Sequence, residues 1–247
     1  MKEFEDLLYD LVKNRPRNRS GKPRNPEDDL LIHMLDDALA EGKINDTQYR
    51  ANLKITFLTA HENAQQLLNS VFWEMGTNQT LQTALRAEIL ATKVADPTAD
   101  QLNRLPILTS TIYEFLRLYP PVSQLINRVT TQPALLGGRI AIPARTWVGW
   151  NAYGVHIDEN VWGADAKEFV PERWGKSVEE MQGKFRRECV RGAYIPFNAH
   201  TRKCLGQGFA LLEMKMVFFE MVRRVRWRVD PGYKLKLTPV CDFVILK

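Results

Sequence analysis

Cys204 stands in the run Pro196-Phe197-Asn198-Ala199-His200-Thr201-Arg202-Lys203-Cys204-Leu205-Gly206, directly ahead of an apolar, helix-forming stretch. The N–H groups of a helix start favour a thiolate over a thiol, and the thiolate is the form that binds metal. Arg202 is placed to meet a carboxylate through its planar fork of donors. Gly206 lets the helix begin close to a flat ligand with no Cβ in the way. On residue types alone the competing reading is a buried or incidental cysteine at a helix start.

Two further groups could serve chemistry. Glu114 and Arg117 lie three apart, which on a helix puts them on one face. Their neighbours Leu108, Ile112, Phe115, Leu116 and Tyr119 suggest partial burial. Two buried charges are costly unless further hydrogen bonds complete the set, so a third partner is expected. A solvated surface pair is the alternative. The segment Thr59-Ala60-His61-Glu62-Asn63-Ala64 places small, acidic and amide side chains side by side within a long apolar helical pattern. An ordinary helix with one polar notch would read the same way.

The elements that must position these residues are mostly helical. Residues 2–13 and 30–40 read as short helices, and Asn45-Asp46 starts a long one over 45–75, with Leu53, Phe57, Ala60, Ala64, Leu67, Val71 and Met75 as its apolar stripe. Helices follow at 81–92 and at 105–119, the latter stopped by Pro120-Pro121. Residues 125–153, punctuated by Gly137-Gly138 and Pro143, read as short strands, and 154–196 as mostly irregular. A helix over 206–225 and a β-like tail from Lys234 to Leu246 close the chain. The fold class is therefore mainly α with small β-sheets (α+β).

Composition narrows the function classes. With 45% hydrophobic and 26% charged residues, the 247-residue chain has an ordinary globular balance. Three cysteines, without zinc-like spacing and unable all to pair, argue against a disulfide framework or a zinc module. No stretch is long and apolar enough to span a bilayer, and the first residues are no signal peptide. Basic residues at Lys13–Arg24 lack interleaved aromatics, which favours a solvated loop over nucleic-acid contact. From Lys184 to Arg228, eleven Lys and Arg face three Glu, so the chain's basic excess surrounds Cys204.

The Cys204 run resembles the cysteine-ligand signature of the cytochrome P450 family, F-x-x-G-x-R-x-C-x-G. Phe197, Arg202, Cys204 and Gly206 match it, and His200 replaces a glycine. Glu114-Phe115-Leu116-Arg117 resembles the family's E-x-x-R motif, and Phe169-Val170-Pro171-Glu172-Arg173-Trp174 resembles the segment donating a second arginine. The resemblance implies that Glu114, Arg117 and Arg173 form a triad fixing the Cys204 loop. It also implies that Cys204 ligates the iron of haem b, and that Arg202, Arg128, Phe197, Gly206 and His156 lie against the same cofactor. For His156 a structural hydrogen bond to backbone is the alternative. The 59–64 segment resembles the oxygen-binding A-G-x-[DE]-T-T motif. By that resemblance Ala60 leaves room for dioxygen, Glu62 relays protons, and Asn63 replaces a threonine. An amide is a poorer proton conduit than a hydroxyl. A non-glycine at 200 must avoid positive φ or bear strain.

The family's fold covers the chain as the C-terminal part (1–247) of one domain. The resemblance implies a haem-thiolate monooxygenase acting on a small organic substrate with dioxygen, and a basic face suited to an NADPH-dependent flavoprotein reductase. It further implies residence at the cytosolic face of the endoplasmic reticulum membrane for the full-length family, with no membrane anchor in this chain. Details of the 60–63 and 162–174 segments are similar to fungal microsomal-type members. A resemblance to the fungal dityrosine branch points to a secondary-metabolite or aromatic, amino-acid-derived substrate. Two alternatives share the fold: an isomerase or dehydratase working without reductase, and an inactive product that at most binds haem. The N-terminal half of the family domain is expected to be absent, leaving apolar surface uncovered and haem binding weak.

Overall fold

A computed structural model describes residues 2–14 and 30–233. The expected β-like tail from Lys234 and most of the basic Lys13–Arg24 run fall outside the described residues. The chain divides into two compact units, Met1–Glu62 and Asn63–Lys247. No helix among the described residues is long and apolar enough to cross a membrane.

The first unit holds α1 (Lys2–Lys13), α2 (Leu30–Ala40) and the start of α3 (Asp46–Thr77). Asn45 and Gln48 cap α3 reciprocally: each side chain accepts the other's backbone N–H at 2.9 Å. Val12, Tyr49 and Leu53 form a small core. The expected stripe is buried at Leu53 but open at Phe57 and Ala60, both exposed beside exposed Ile55 and Leu58. Helical period fixes which residues share a face, but tertiary partners decide whether that face is covered.

The second unit is built around α6 (Pro106–Leu118), in which every residue from Leu108 to Leu118 is buried. Its start has no capping side chain of its own. Instead the carboxylate of Glu88, on α4 (Gln79–Ala91), accepts the N–H groups of Ile107 at 2.7 Å and Leu108 at 2.9 Å. Burial raises the pKa of Glu88, while those two donors oppose the rise. Leu67, Val71 and Met75 of α3, the short α5 (Ala99–Leu102) and α10 (Gln207–Arg224) pack into the same core.

Two small antiparallel sheets follow α6. β1 (Gln124–Val129) pairs with β4 (Trp147–Asn151), and β2 (Ala134–Leu136) pairs with β3 (Ile140–Ile142). Gly137 and Gly138 turn the second pair with φ of 57° and 73°, a region where only glycine is unstrained.

The stretch 154–196, expected to be irregular, is not. It contains α7 (Ala152–His156), α8 (Glu159–Trp162), a 3₁₀ turn at Pro171–Trp174 and a 14-residue helix, α9 (Val178–Arg191). A Ser177–Glu180 capping box starts α9, and Gly192 ends it in the left-handed region at φ 72°. Its buried face is only Met181, Phe185 and Glu188, too narrow a stripe to stand out from the surrounding charge.

Candidate functional site

Glu114 and Arg117 are fully buried, so the surface-pair alternative is excluded. Arg117 donates all five of its N–H groups. Nε and Nη2 reach the two Glu114 oxygens at 2.9 and 2.8 Å. Nη1 reaches the carbonyls of His156 and Ala166, and Nη2 also reaches Glu168 O at 2.9 Å. The Glu114 carboxylate accepts three more bonds, from Arg173 Nε at 2.8 Å and from Val170 N and Trp174 Nε1 at 2.9 Å. Arg173 then ties down Asp165, donating to its Oδ1 at 3.2 Å and its carbonyl at 3.0 Å. The hydrogen bond from Arg173 holds the Asp165 carboxyl below the usual range.

The expected Glu114–Arg117–Arg173 association is thus present, with two donors the sequence reading did not assign. Trp174 was within reach of that reading, since an indole N–H beside a buried arginine needs an acceptor. The Val170 N–H carries no sequence signal.

His156 is buried at 0% exposure. Its Nε2 accepts the Ile195 N–H at 2.8 Å, so Nδ1 carries the proton and donates to Arg117 O at 3.0 Å. Burial pushes its pKa down to about 4, keeping it neutral. Both nitrogens are committed to backbone and neither is left for a propionate. The expected cofactor contact at His156 is therefore replaced by a strut between α6 and the segment entering the Cys204 loop. Tyr194, next to that strut, is fully buried and donates its hydroxyl to Tyr113 O at 2.9 Å.

The loop itself is closed by Cys204 N donating to Phe197 O at 2.8 Å. Asn198 and His200 both sit at positive φ, 64° and 54°. His200 thus takes the left-handed conformation a glycine would adopt without strain, which costs a non-glycine about 1–2 kcal/mol. Cys204, Arg202 and Gly206 are exposed, and Phe197 is half-buried against the core. No side chain caps α10, so its first-turn N–H groups lack a side-chain acceptor behind Cys204. Burial of Cys189, the other described cysteine, raises its pKa to about 11 and holds it as the thiol.

The exposed side of this loop fits haem. Leu205 is 93% and Phe209 65% exposed beside the bare thiol, and Arg202 has no acidic partner among the described residues. Apolar surface, a soft sulfur ligand and an unpaired guanidinium suit a flat apolar ligand with acidic edges.

Arg128 lies half-buried on β1, opposite Val148. Ala60 and Glu62 lie exposed in the first unit, and Asn63, half-buried, begins the second. They are neighbours on one helix.

Residues 1–245 match the family model for cytochrome P450. The chain is 59% identical over 99% of its length to the cytochrome P450 monooxygenase xanG of Aspergillus fumigatus, covering 45% of that protein. It is 38% identical over 78% of its length to cytochrome P450-DIT2 of Saccharomyces cerevisiae, covering 39% of it. A crystal structure of the cytochrome P450 CYP102L1 superposes with a TM-score of 0.71 at 28% identity, over 95% of this chain and 50% of that one. The chain spans about half the length of these relatives. By the family match and these likenesses, the chain belongs to the cytochrome P450 family, whose members carry haem on a cysteine thiolate.

Proposed function

We propose that this chain supplies the haem-binding portion of a monooxygenase that inserts one oxygen atom of dioxygen into a small organic substrate. The observation that carries the reading is the exposed Cys204 at the head of α10, on a loop pinned from behind by Phe197 and by the His156 strut. Haem, when bound, supplies a thiolate-ligated iron that activates dioxygen.

The remaining work falls to the chain's own side chains. Cys204 would provide the sulfur ligand, presented ahead of α10 by the bond from its own N–H to Phe197 O. Arg202 and Arg128 would hold propionates by charge-assisted bonds, while Phe197 and Gly206 would shape the surface that receives the cofactor. The Glu114–Arg117–Arg173 group keeps that surface from moving and takes no part in bond chemistry. On α3, Ala60 would leave space for dioxygen, Glu62 would take up a proton from solvent, and Asn63 would offer an amide as hydrogen-bond partner.

The finer reading is an aromatic, amino-acid-derived or secondary-metabolite substrate, supported by the resemblance to the fungal dityrosine branch. The partner is an NADPH-dependent flavoprotein reductase drawn to the basic surface at Arg186, Arg187, Arg191 and Lys203. The full-length protein belongs, on this reading, at the cytosolic face of the endoplasmic reticulum. Reconstitution of the purified chain with haem, followed by reduction and CO, tests the ligand. A red-shifted Soret band lost in Cys204→Ala supports it, and an unshifted band, or one retained in the variant, refutes it.

A further inference from the structure

On the second unit a groove of about 710 Å³ opens between α9, α10 and the segment leading to Cys204. Its apolar floor is Tyr113, Phe185, Leu211 and Leu212. Its charged lining is Arg186, Lys203 and Lys215, joined by His200, and no carboxylate lines it. Arg186 and Lys203 are exposed. Lys215 is different: it is only 3% exposed, and its ammonium has one hydrogen bond, to Asn103 Oδ1 at 2.8 Å. Three donors with one protein acceptor leave two N–H groups at the wall of the groove without a protein partner. A buried charge without a countercharge is costly, and burial pushes the Lys215 pKa down to about 8.

We propose that the groove is a binding site for a small monocarboxylate with an apolar tail, its acid group seated on Lys215 and its tail on the Tyr113–Phe185–Leu211–Leu212 floor. The two remaining ammonium donors match the two oxygens of one carboxylate, which would supply the missing countercharge. The size suits a molecule of that class. Phe197, Asn198, Ala199, His200 and Lys203 also line the groove, so an occupant bears on the loop that presents Cys204. Neither the geometry nor the test depends on haem.

The test is calorimetric titration of the purified 247-residue chain with sodium decanoate, with decanol and acetate as probes lacking one half of the recognition. Saturable decanoate binding is expected, weakened about tenfold or more in Lys215→Met, since a hydrogen bond to a charged group is lost. Both single-feature probes should bind far more weakly. In the unmodified chain, decanoate should also slow acetylation of the Lys215 amine, read by mass spectrometry, at least severalfold. This second readout needs no variant to fold. Absence of both saturable binding and protection overturns the proposal, as does equal decanoate binding by Lys215→Met. Association of the groove with an acidic protein surface alone, without decanoate binding, overturns it too.

Discussion

Replacing Glu114 by Gln tests whether one carboxylate holds the second unit together. The side chain keeps its size but loses its charge and one acceptor oxygen. In the native arrangement Oε1 receives Arg117 Nη2, Val170 N and Arg173 Nε, and Oε2 receives Arg117 Nε and Trp174 Nε1. Whichever way the amide turns, its NH₂ meets at least two donors, and fully buried Arg117 keeps only one of its two bonds to residue 114 and loses its countercharge. Breaking a buried pair in this way costs about 3–5 kcal/mol. That is a large share of the about 5–15 kcal/mol by which a domain is stable.

The assay is urea unfolding followed by tryptophan fluorescence. All six tryptophans lie between Trp73 and Trp227, so the signal reports the second unit alone. Glu172→Gln, at an exposed neighbour, is the control and should stay within about 0.5 kcal/mol. If Glu114→Gln loses less than about 1 kcal/mol with an unchanged urea slope, the carboxylate is not the keystone argued for it.

Three further outcomes are expected. His156 is neutral in the fold, with its pKa down at about 4 against an ordinary 6.5. The unfolded chain therefore binds the extra proton between those values, and stability that is full above pH 6.5 should fall by about 3 kcal/mol as pH drops to 4. His156→Leu should remove that slope in acid urea titrations while losing stability at neutral pH. Lys215, at about 8 against 10.5, follows the same sign, so Lys215→Met should gain about 3 kcal/mol at pH 7, and the gain should close as pH rises through 8 to 10.5. His200→Gly should relieve the positive φ and raise the unfolding free energy, read from urea titration, by about 1 kcal/mol, the strain relieved outweighing glycine's greater unfolded freedom.

Much of this architecture is legible locally. Asn45 and Gln48 mark the start of α3, Pro120-Pro121 the end of α6, and the i,i+3 spacing of Glu114 and Arg117 their shared face. The 14-residue α9 was legible too, in the Ser177–Glu180 capping box and Gly192, but Gly183 and a dense run of charges mask its narrow apolar stripe. What the chain does not display is long-range. Trp174 lies 60 residues from the carboxylate it bonds. His156 looks like a cofactor contact until Ile195 N, 39 residues on, occupies its second nitrogen. Lys215 reads as one basic residue among many, because only the packing of α10 beside Asn103 reveals its burial.

Arg117 explains how the connection from α7 to α9 is fixed. Between α7 and α9 the backbone carbonyls of His156, Ala166 and Glu168 point into a buried region where they need donors. One planar guanidinium satisfies all three while holding Glu114 on its remaining N–H groups; an ammonium has too few donors, and in the wrong geometry. The same residue's carbonyl fixes the tautomer of His156, which in turn holds Ile195 N. Two residues later Phe197 O receives Cys204 N. Cys204 is thus positioned by a relay of backbone bonds that begins in the most buried helix, not by contacts of its own side chain. Its outward side keeps a bare sulfur, Leu205 and Phe209. Rigidity behind and exposure in front are what a ligand loop requires, because the ordering cost is met in folding and not charged against the ligand.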